Sequence, residues 1–111
     1  MRRILFILSI LFVLLPACMQ HGLRDGTYRV YRVIDGDTVI IHDVGRVRLA
    51  EVDAPELDTP EGQAARDELA ARIEGRPVRV EFVRRKKASP AGPVGSVVFD
   101  RYGRILAKIS P

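Results

Sequence analysis

Cysteine, histidine and aromatic residues are scarce in this chain of 111 residues, which has one Cys, two His and 6% aromatics. A single cysteine excludes an intrachain disulfide. His21 and His42 show no partner pattern and are assigned no ligand role; with no cysteine to spare, zinc is not expected. The length excludes a second domain, and no internal repeat is visible. Long apolar runs are missing except for residues 4–15, interrupted only by Ser9 and too short to span a bilayer comfortably. Excess charge is small as well. Eighteen Lys and Arg stand against fourteen Asp and Glu, and setting aside Arg2 and Arg3 leaves an excess of two. That balance fits a polyanionic partner without demanding one, so the positions of the charges must decide.

Arg2-Arg3, the apolar run and Pro16-Ala17 read as an export signal over residues 1–17. Leu15-Pro16-Ala17-Cys18 resembles a bacterial lipobox, although Pro16 departs from the usual small or aliphatic residue. On that reading Cys18 is acylated, residues 18–26 are a tether, and the protein is held on the outer face of a membrane. Met19 after the cysteine resembles the pattern sorted to an outer membrane. The other reading is an ordinary signal peptide cut near Ala17, which releases the protein into the periplasm or medium.

The rest predicts five strands and one helix. Residues 27–34 alternate and are rich in β-formers, residues 38–42 make a second run, and Asp43-Val44-Gly45 predicts a hairpin turn into a third strand over 46–52, stopped by Pro55. Thr59-Pro60-Glu61-Gly62 opens a helix, with a capping threonine, a proline suited to the first turn and an acid at the positive end of the dipole. Ala65, Leu69 and Ile73 give it a buried stripe, and Gly75 ends it. A fourth strand covers 77–83. A fifth covers 97–109, broken by a turn, and the Pro and Gly content of 88–95 marks a loop. Three strands, a helix and two strands is the order of a mainly β fold, a small partly open β-barrel of the OB type.

Three polar segments interrupt this β-like sequence: Asp35-Gly36-Asp37-Thr38, the stretch from Arg48 through Asp53-Ala54-Pro55-Glu56, and Asp100-Arg101-Tyr102-Gly103-Arg104. They set carboxylates and guanidinium groups at strand ends, the inventory that metal-assisted cleavage of a phosphodiester needs. Hard oxygen donors such as Asp37 and Asp53 suit Ca²⁺ or Mg²⁺. Asp35 shares a side of the strand with Asp37 and is expected in an outer-sphere or structural role. A guanidinium presents a planar fork to phosphate oxygens and keeps its charge. Arg46 shares a face with Arg48, which makes it either a neighbour of the site or an exposed strand residue.

With Val33 and Ile34 before the first segment, Val47-Arg48-Leu49 and Val52 within the second and Gly62 before the helix, these motifs resemble the staphylococcal nuclease (thermonuclease) family, in order and approximate spacing, from about Tyr28 to Lys108. The resemblance implies an OB-type barrel over residues 27–111 and a calcium-dependent nuclease acting on DNA and RNA, with single strands preferred. It implies one Ca²⁺, with Mg²⁺ less favoured, on Asp37, Asp53 and the carbonyl of Ala54, where the family often has threonine. It implies Arg48 and Arg104 as phosphate-binding arginines and Glu56 as the residue that orients or deprotonates the attacking water. Tyr102 is a candidate for stacking on substrate or for packing at its turn. The basic run Arg84-Arg85-Lys86-Lys87 is a candidate track for a polyanion or a solvated loop.

Two departures stand out. The segment between Phe82 and Asp100 is longer than usual, as if about ten residues were inserted over 88–97. Family members also continue into helices beneath the barrel, so Ile105, Leu106 and Ile109 are expected to be exposed, with dimerisation through that face as one consequence. The second functional class is therefore a non-catalytic OB-type surface module that binds nucleic acid or a protein.

Overall fold

Alternation of β-branched residues builds the barrel, and the computed structural model describes residues 22–111 of it. The leader over 1–17 and Cys18 lie outside the described residues. The strands are β1 (Gly26–Asp35), β2 (Thr38–Ile41), β3 (Gly45–Leu49), β4 (Pro77–Phe82) and β5 (Ile105–Ser110), with helix α1 (Pro60–Ile73) between β3 and β4. They close in the order β1-β2-β3-β5-β4, with β1 also pairing β4. All pairs are antiparallel except β3 with β5.

β1 serves two neighbours. Its first half pairs with β4 and its second half with β2, and register shifts between Val30 and Arg32 and between Val33 and Asp35 bend it from one to the other. The N–H of Val33 finds the Glu74 carboxylate at 3.0 Å. Inward-facing Val30, Val33, Val39, Ile41, Val47, Leu49, Val78, Val80, Phe82, Ile105 and Ala107 fill the interior. Each buried Val, Leu, Ile or Phe contributes about 1.5–3 kcal/mol. Asp43 and Gly45, at φ 67° and 101°, make the β2–β3 hairpin in the left-handed region.

The helix begins as its sequence dictates. The Thr59 hydroxyl accepts the Gly62 N–H at 3.0 Å, Pro60 occupies the first turn, and Ile73 enters the core with Leu69 and Ala70 against it. Such a cap contributes about 1 kcal/mol. Gly75, at φ +75°, turns the chain out of the helix and donates to the Val30 carbonyl at 2.9 Å.

The structure corrects several expectations. The third strand stops at Leu49 rather than residue 52, because the chain turns at Ala50 and Glu51 around the Arg48 guanidinium, which binds the carbonyls of Leu49 and Val52. Of the fifth strand only Ile105–Ser110 is regular; Val97 and Phe99 make isolated bridges to Arg84 and Ile105. Ile105 is buried, and Leu106 and Ile109 are half-buried, because β5 closes the barrel with Ile105 and Ala107 facing its interior and Ile109 packed against the core. The chain is also bound to the barrel before β1. Leu23 packs on the core, its carbonyl accepts from Arg84, and the Asp25 carboxylate accepts the Phe82 N–H at 3.0 Å, so residues 23–26 are not free tether.

Gly62 lies inside the first helical turn, not before it, and is pressed on backbone. A Cβ there would stand 1.8 Å from the Glu56 carbonyl oxygen. Helix propensity alone favours Gly62→Ala by about 1 kcal/mol; here the added methyl meets a carbonyl that cannot swing aside, at a cost of about 1–3 kcal/mol or more. Gly62→Ala is therefore expected to lower the urea midpoint, while Gln63→Ala one residue on leaves it unchanged or raises it.

Candidate active site

The three polar segments meet at one end of the barrel. The β1–β2 turn brings Asp35, Asp37 and Thr38; the end of β3 and the chain after it bring Arg46, Arg48, Asp53, Ala54 and Glu56; the β4–β5 loop brings Tyr102 and Arg104. Together they line a cleft of about 530 Å³. The turn is held tight by Gly36, where a Cβ would come within 2.6 Å of the Ala54 Cβ and 2.9 Å of the Ala65 Cβ. No larger residue lets the turn, the segment after β3 and the helix approach so closely.

Asp37 is held by several neighbours. Its Oδ1 accepts the Thr38 hydroxyl at 3.1 Å, its Oδ2 lies 3.4 Å from the Ala54 N–H and 3.5 Å from Arg48 Nη2, and its N–H is fixed by Asp35 Oδ1 at 3.0 Å. Burial raises its pKa. The Asp35 side chain, the Ala54 N–H, the Thr38 hydroxyl and the Arg48 guanidinium outweigh burial and hold it below the usual carboxylate range. Asp53 is its opposite, a fully exposed side chain with Arg48 Nη2 at 3.6 Å.

Arg48 thus divides its fork. Nη1 binds the Leu49 and Val52 carbonyls, and Nη2 stands between the two aspartates. That one cationic atom reaches both carboxylates shows that they converge. Among the described residues no three His, Cys, Asp or Glu side chains gather at one point; the carboxylates that come together here are Asp37 and Asp53. Hard oxygens in an open arrangement fit Ca²⁺ or Mg²⁺ with waters completing the shell. Asp37, Asp53 and Ala54 are the residues that would hold the ion.

Arg104 is aimed by a loop. Asp100 Oδ1 accepts the N–H groups of Tyr102 and Arg104, both at 2.9 Å, and Oδ2 takes Arg104 Nε at 2.6 Å. Gly103, at φ +79°, supplies the left-handed residue that the turn requires. Nη1 of Arg104 then donates to the Thr38 hydroxyl at 2.7 Å, and Nη2 has no hydrogen-bond partner among the described residues. Burial raises the Asp100 pKa, but the Arg104 N–H, the Arg104 guanidinium and the Tyr102 N–H bring it below the ordinary range. A chain of contacts therefore runs from Asp100 through Arg104 and Thr38 to Asp37.

Glu56 lines the cleft with its side chain exposed, and its carbonyl accepts from Thr59. Tyr102 is 65% exposed, with the Arg101 and Arg104 guanidinium groups 4.9 and 5.3 Å from its ring centre. Arg84, Arg85, Lys86 and Lys87 lie outside the cleft lining. Sequence reasoning gave no role to Thr38 or Asp100. Their signal was present, since Thr38 ends one polar motif and Asp100 opens another. Thr38 is 3% exposed, a buried hydroxyl that needs partners.

Asp100→Asn keeps the shape and removes the charge that holds Arg104. The wild-type contribution is present above the ordinary carboxylate range and is lost as pH falls through the lowered pKa of Asp100. The variant is expected to be less stable by about 1–3 kcal/mol at neutral pH. Denaturation midpoints of the two proteins should converge in strong acid.

No family model matches the chain. Among curated proteins it is 35% identical over 95 residues to the thermonuclease of Staphylococcus hyicus, a match covering 78% of this chain and 49% of that protein. It is 38% identical over 95 residues to the thermonuclease of Staphylococcus intermedius, with the same two coverages. It is also 34% identical over 106 residues to a protein of Haemophilus influenzae named an uncharacterized endonuclease, covering 92% of this chain and 50% of that one. The chain spans about half the length of the curated relatives it matches. Strand order, the three motifs and these similarities together assign the chain to the staphylococcal nuclease-like family.

Proposed function

We propose that the protein is a metal-dependent nuclease that hydrolyses phosphodiester bonds in DNA, RNA or both, with calcium as its ion. The observation that carries this reading is the meeting, in one polar cleft, of two converging carboxylates, two buttressed guanidinium groups and a free glutamate. The names of the relatives, thermonuclease and endonuclease, support it.

Attack of water on a phosphodiester builds negative charge on the phosphoryl oxygens, so groups fixed before the reaction are worth most. A divalent cation, when bound, supplies positive charge to those oxygens and acidifies water. Nη2 of Arg48 and Nη2 of Arg104 bind the phosphoryl oxygens from two sides. Neither arginine must be ordered at that moment, because Nη1 of Arg48 rests on two carbonyls and Nε and Nη1 of Arg104 rest on Asp100 and Thr38. Glu56 takes the proton of the attacking water, and its exposure keeps it within reach of solvent.

The test is cleavage of a labelled single-stranded oligonucleotide with Ca²⁺, with Mg²⁺ and with chelator. Calcium-dependent scission is expected. Glu56→Gln should slow it by about 10²–10⁴-fold with binding retained, and Arg104→Ala by about 10²–10³-fold. Binding without scission under every condition would instead favour the non-catalytic OB-type module.

Export and lipidation at Cys18 belong to the same proposal, supported by Arg2-Arg3, the apolar run and the lipobox-like Leu15-Pro16-Ala17-Cys18. Cys18→Ala is expected to move the protein from the membrane fraction to the soluble one. Equal partition of both forms would favour an ordinary signal peptide.

A further inference from the structure

Charge in the described residues is unevenly placed. The β4–β5 loop, residues 83–104, holds six basic residues and one acid, whereas the rest of 22–111 holds ten basic and thirteen acidic ones. The barrel is therefore net negative and the loop strongly positive.

The loop is also built. The Val98 N–H bonds the Val83 carbonyl at 3.0 Å, Arg84 bridges Val97, the Arg85 N–H bonds the Ser96 carbonyl at 2.9 Å, and Ser89 and Gly92 exchange bonds at 3.0 Å. The segment after β4 thus folds back as an irregular two-stranded ribbon. Its first two basic residues are internal struts. Arg84 donates to the carbonyls of Gly95 and Leu23 at 3.0 and 2.6 Å and lies 3.8 Å from the Asp25 carboxylate. Arg85 runs beneath Gly92, where a Cβ would lie 3.3 Å from its Nε. Lys86 and Lys87 are exposed, and neither makes an ion pair among the described residues. At the other end of the ribbon Phe99, 53% exposed, directly precedes Asp100, the residue that holds Arg104.

Resting on the nuclease reading of the cleft, we propose that this ribbon is a second binding segment for the nucleic-acid strand, in which Phe99 stacks a base beside the cleft and Lys86 and Lys87 hold backbone phosphates beyond it. Lys87 is four residues past Val83, a reach of at most about 14 Å, which is about four nucleotides at the 3.4 Å rise of a stacked strand. An apolar ring in water next to a polyanion site loses nothing by stacking, and lysines without partners give up no protein contact to bind phosphate. The partner is a single strand, because stacking on Phe99 needs an unpaired base.

The experiment measures binding of the full-length protein to a fluorescent 12-nucleotide single strand by anisotropy, with chelator present, over a series of salt concentrations. The Lys86→Gln/Lys87→Gln double variant is expected to reduce the slope of log affinity against log salt by about 1.4 in magnitude, about 0.7 for each phosphate contact on a single strand. Phe99→Ala should weaken binding by about 5- to 150-fold, with Phe99→Trp restoring it. Both sites are exposed, and circular dichroism confirms that the variants fold. An unchanged slope in the double variant together with unchanged affinity in Phe99→Ala overturns the proposal. So does an equal loss of affinity in the double variant for a dinucleotide, which is too short to reach the lysines. Because no turnover is read, wild-type protein that binds but never cuts would remove the nuclease reading and leave this one standing.

Discussion

The parallel pairing of β3 with β5 gives the cleft its walls. Every other neighbouring pair in the barrel is antiparallel, and this one closes the sheet by setting Val47, Arg48 and Leu49 against Ile105, Leu106 and Ala107. Arg48, near the end of β3, and Arg104, just before β5, are brought to the same cleft by that closure, although fifty-six residues separate them in the chain. The β1–β2 turn completes the arrangement through β2, which pairs with β3 in register Thr38 with Arg48. Thr38 can then accept from Arg104 across the gap.

Electrostatic order follows from that closure. A bare cluster of aspartates would repel itself, and free arginines would sample many rotamers. Here each charged group already has an opposite or polar neighbour: Asp37 has Thr38, Ala54 and Arg48, and Arg104 has Asp100 and Thr38. The charges left loosest are Asp53 and Glu56, both on the segment after β3. The cleft therefore combines buttressed guanidinium groups and a held Asp37 with two exposed carboxylates, Asp53 and Glu56. Rigid donors stabilise developing charge without reorganising, while the looser carboxylates adjust to an incoming cation or water.

Much of this was legible in the sequence. Alternation in 27–34 and 77–83, the Thr59-Pro60 start and the Gly75 stop gave the strands and the helix nearly to the residue, because local propensity and core placement agree there. The three motifs gave the cleft. What could not be read was set by contacts distant in sequence. Arg48 ends β3 early by capturing carbonyls after it, and β5 starts late because 97–99 form isolated bridges to Arg84 and Ile105. Ile105 was expected to be exposed, yet its side chain faces the barrel interior with Ala107 once β5 pairs with β3 and β4. In the basic run, alternation does not distinguish the buttressed Arg84 from the exposed Lys86, since the difference lies in what Leu23, Asp25 and Gly95 do.

Gly62 gives the helix a mechanical part. At one end α1 meets the Glu56 carbonyl with no side chain between them, and at the other Ile73 is set into the barrel interior. From Gly62 to Ile73 the helix makes a strut about 17 Å long, seated on hydrocarbon at its base. Ile73 is fixed by the core packing around it, and Gly62 lets the opposite end of the same helix lie against the Glu56 carbonyl. The core of the barrel and the segment that carries Glu56 at its mouth therefore rest on the two ends of one helix.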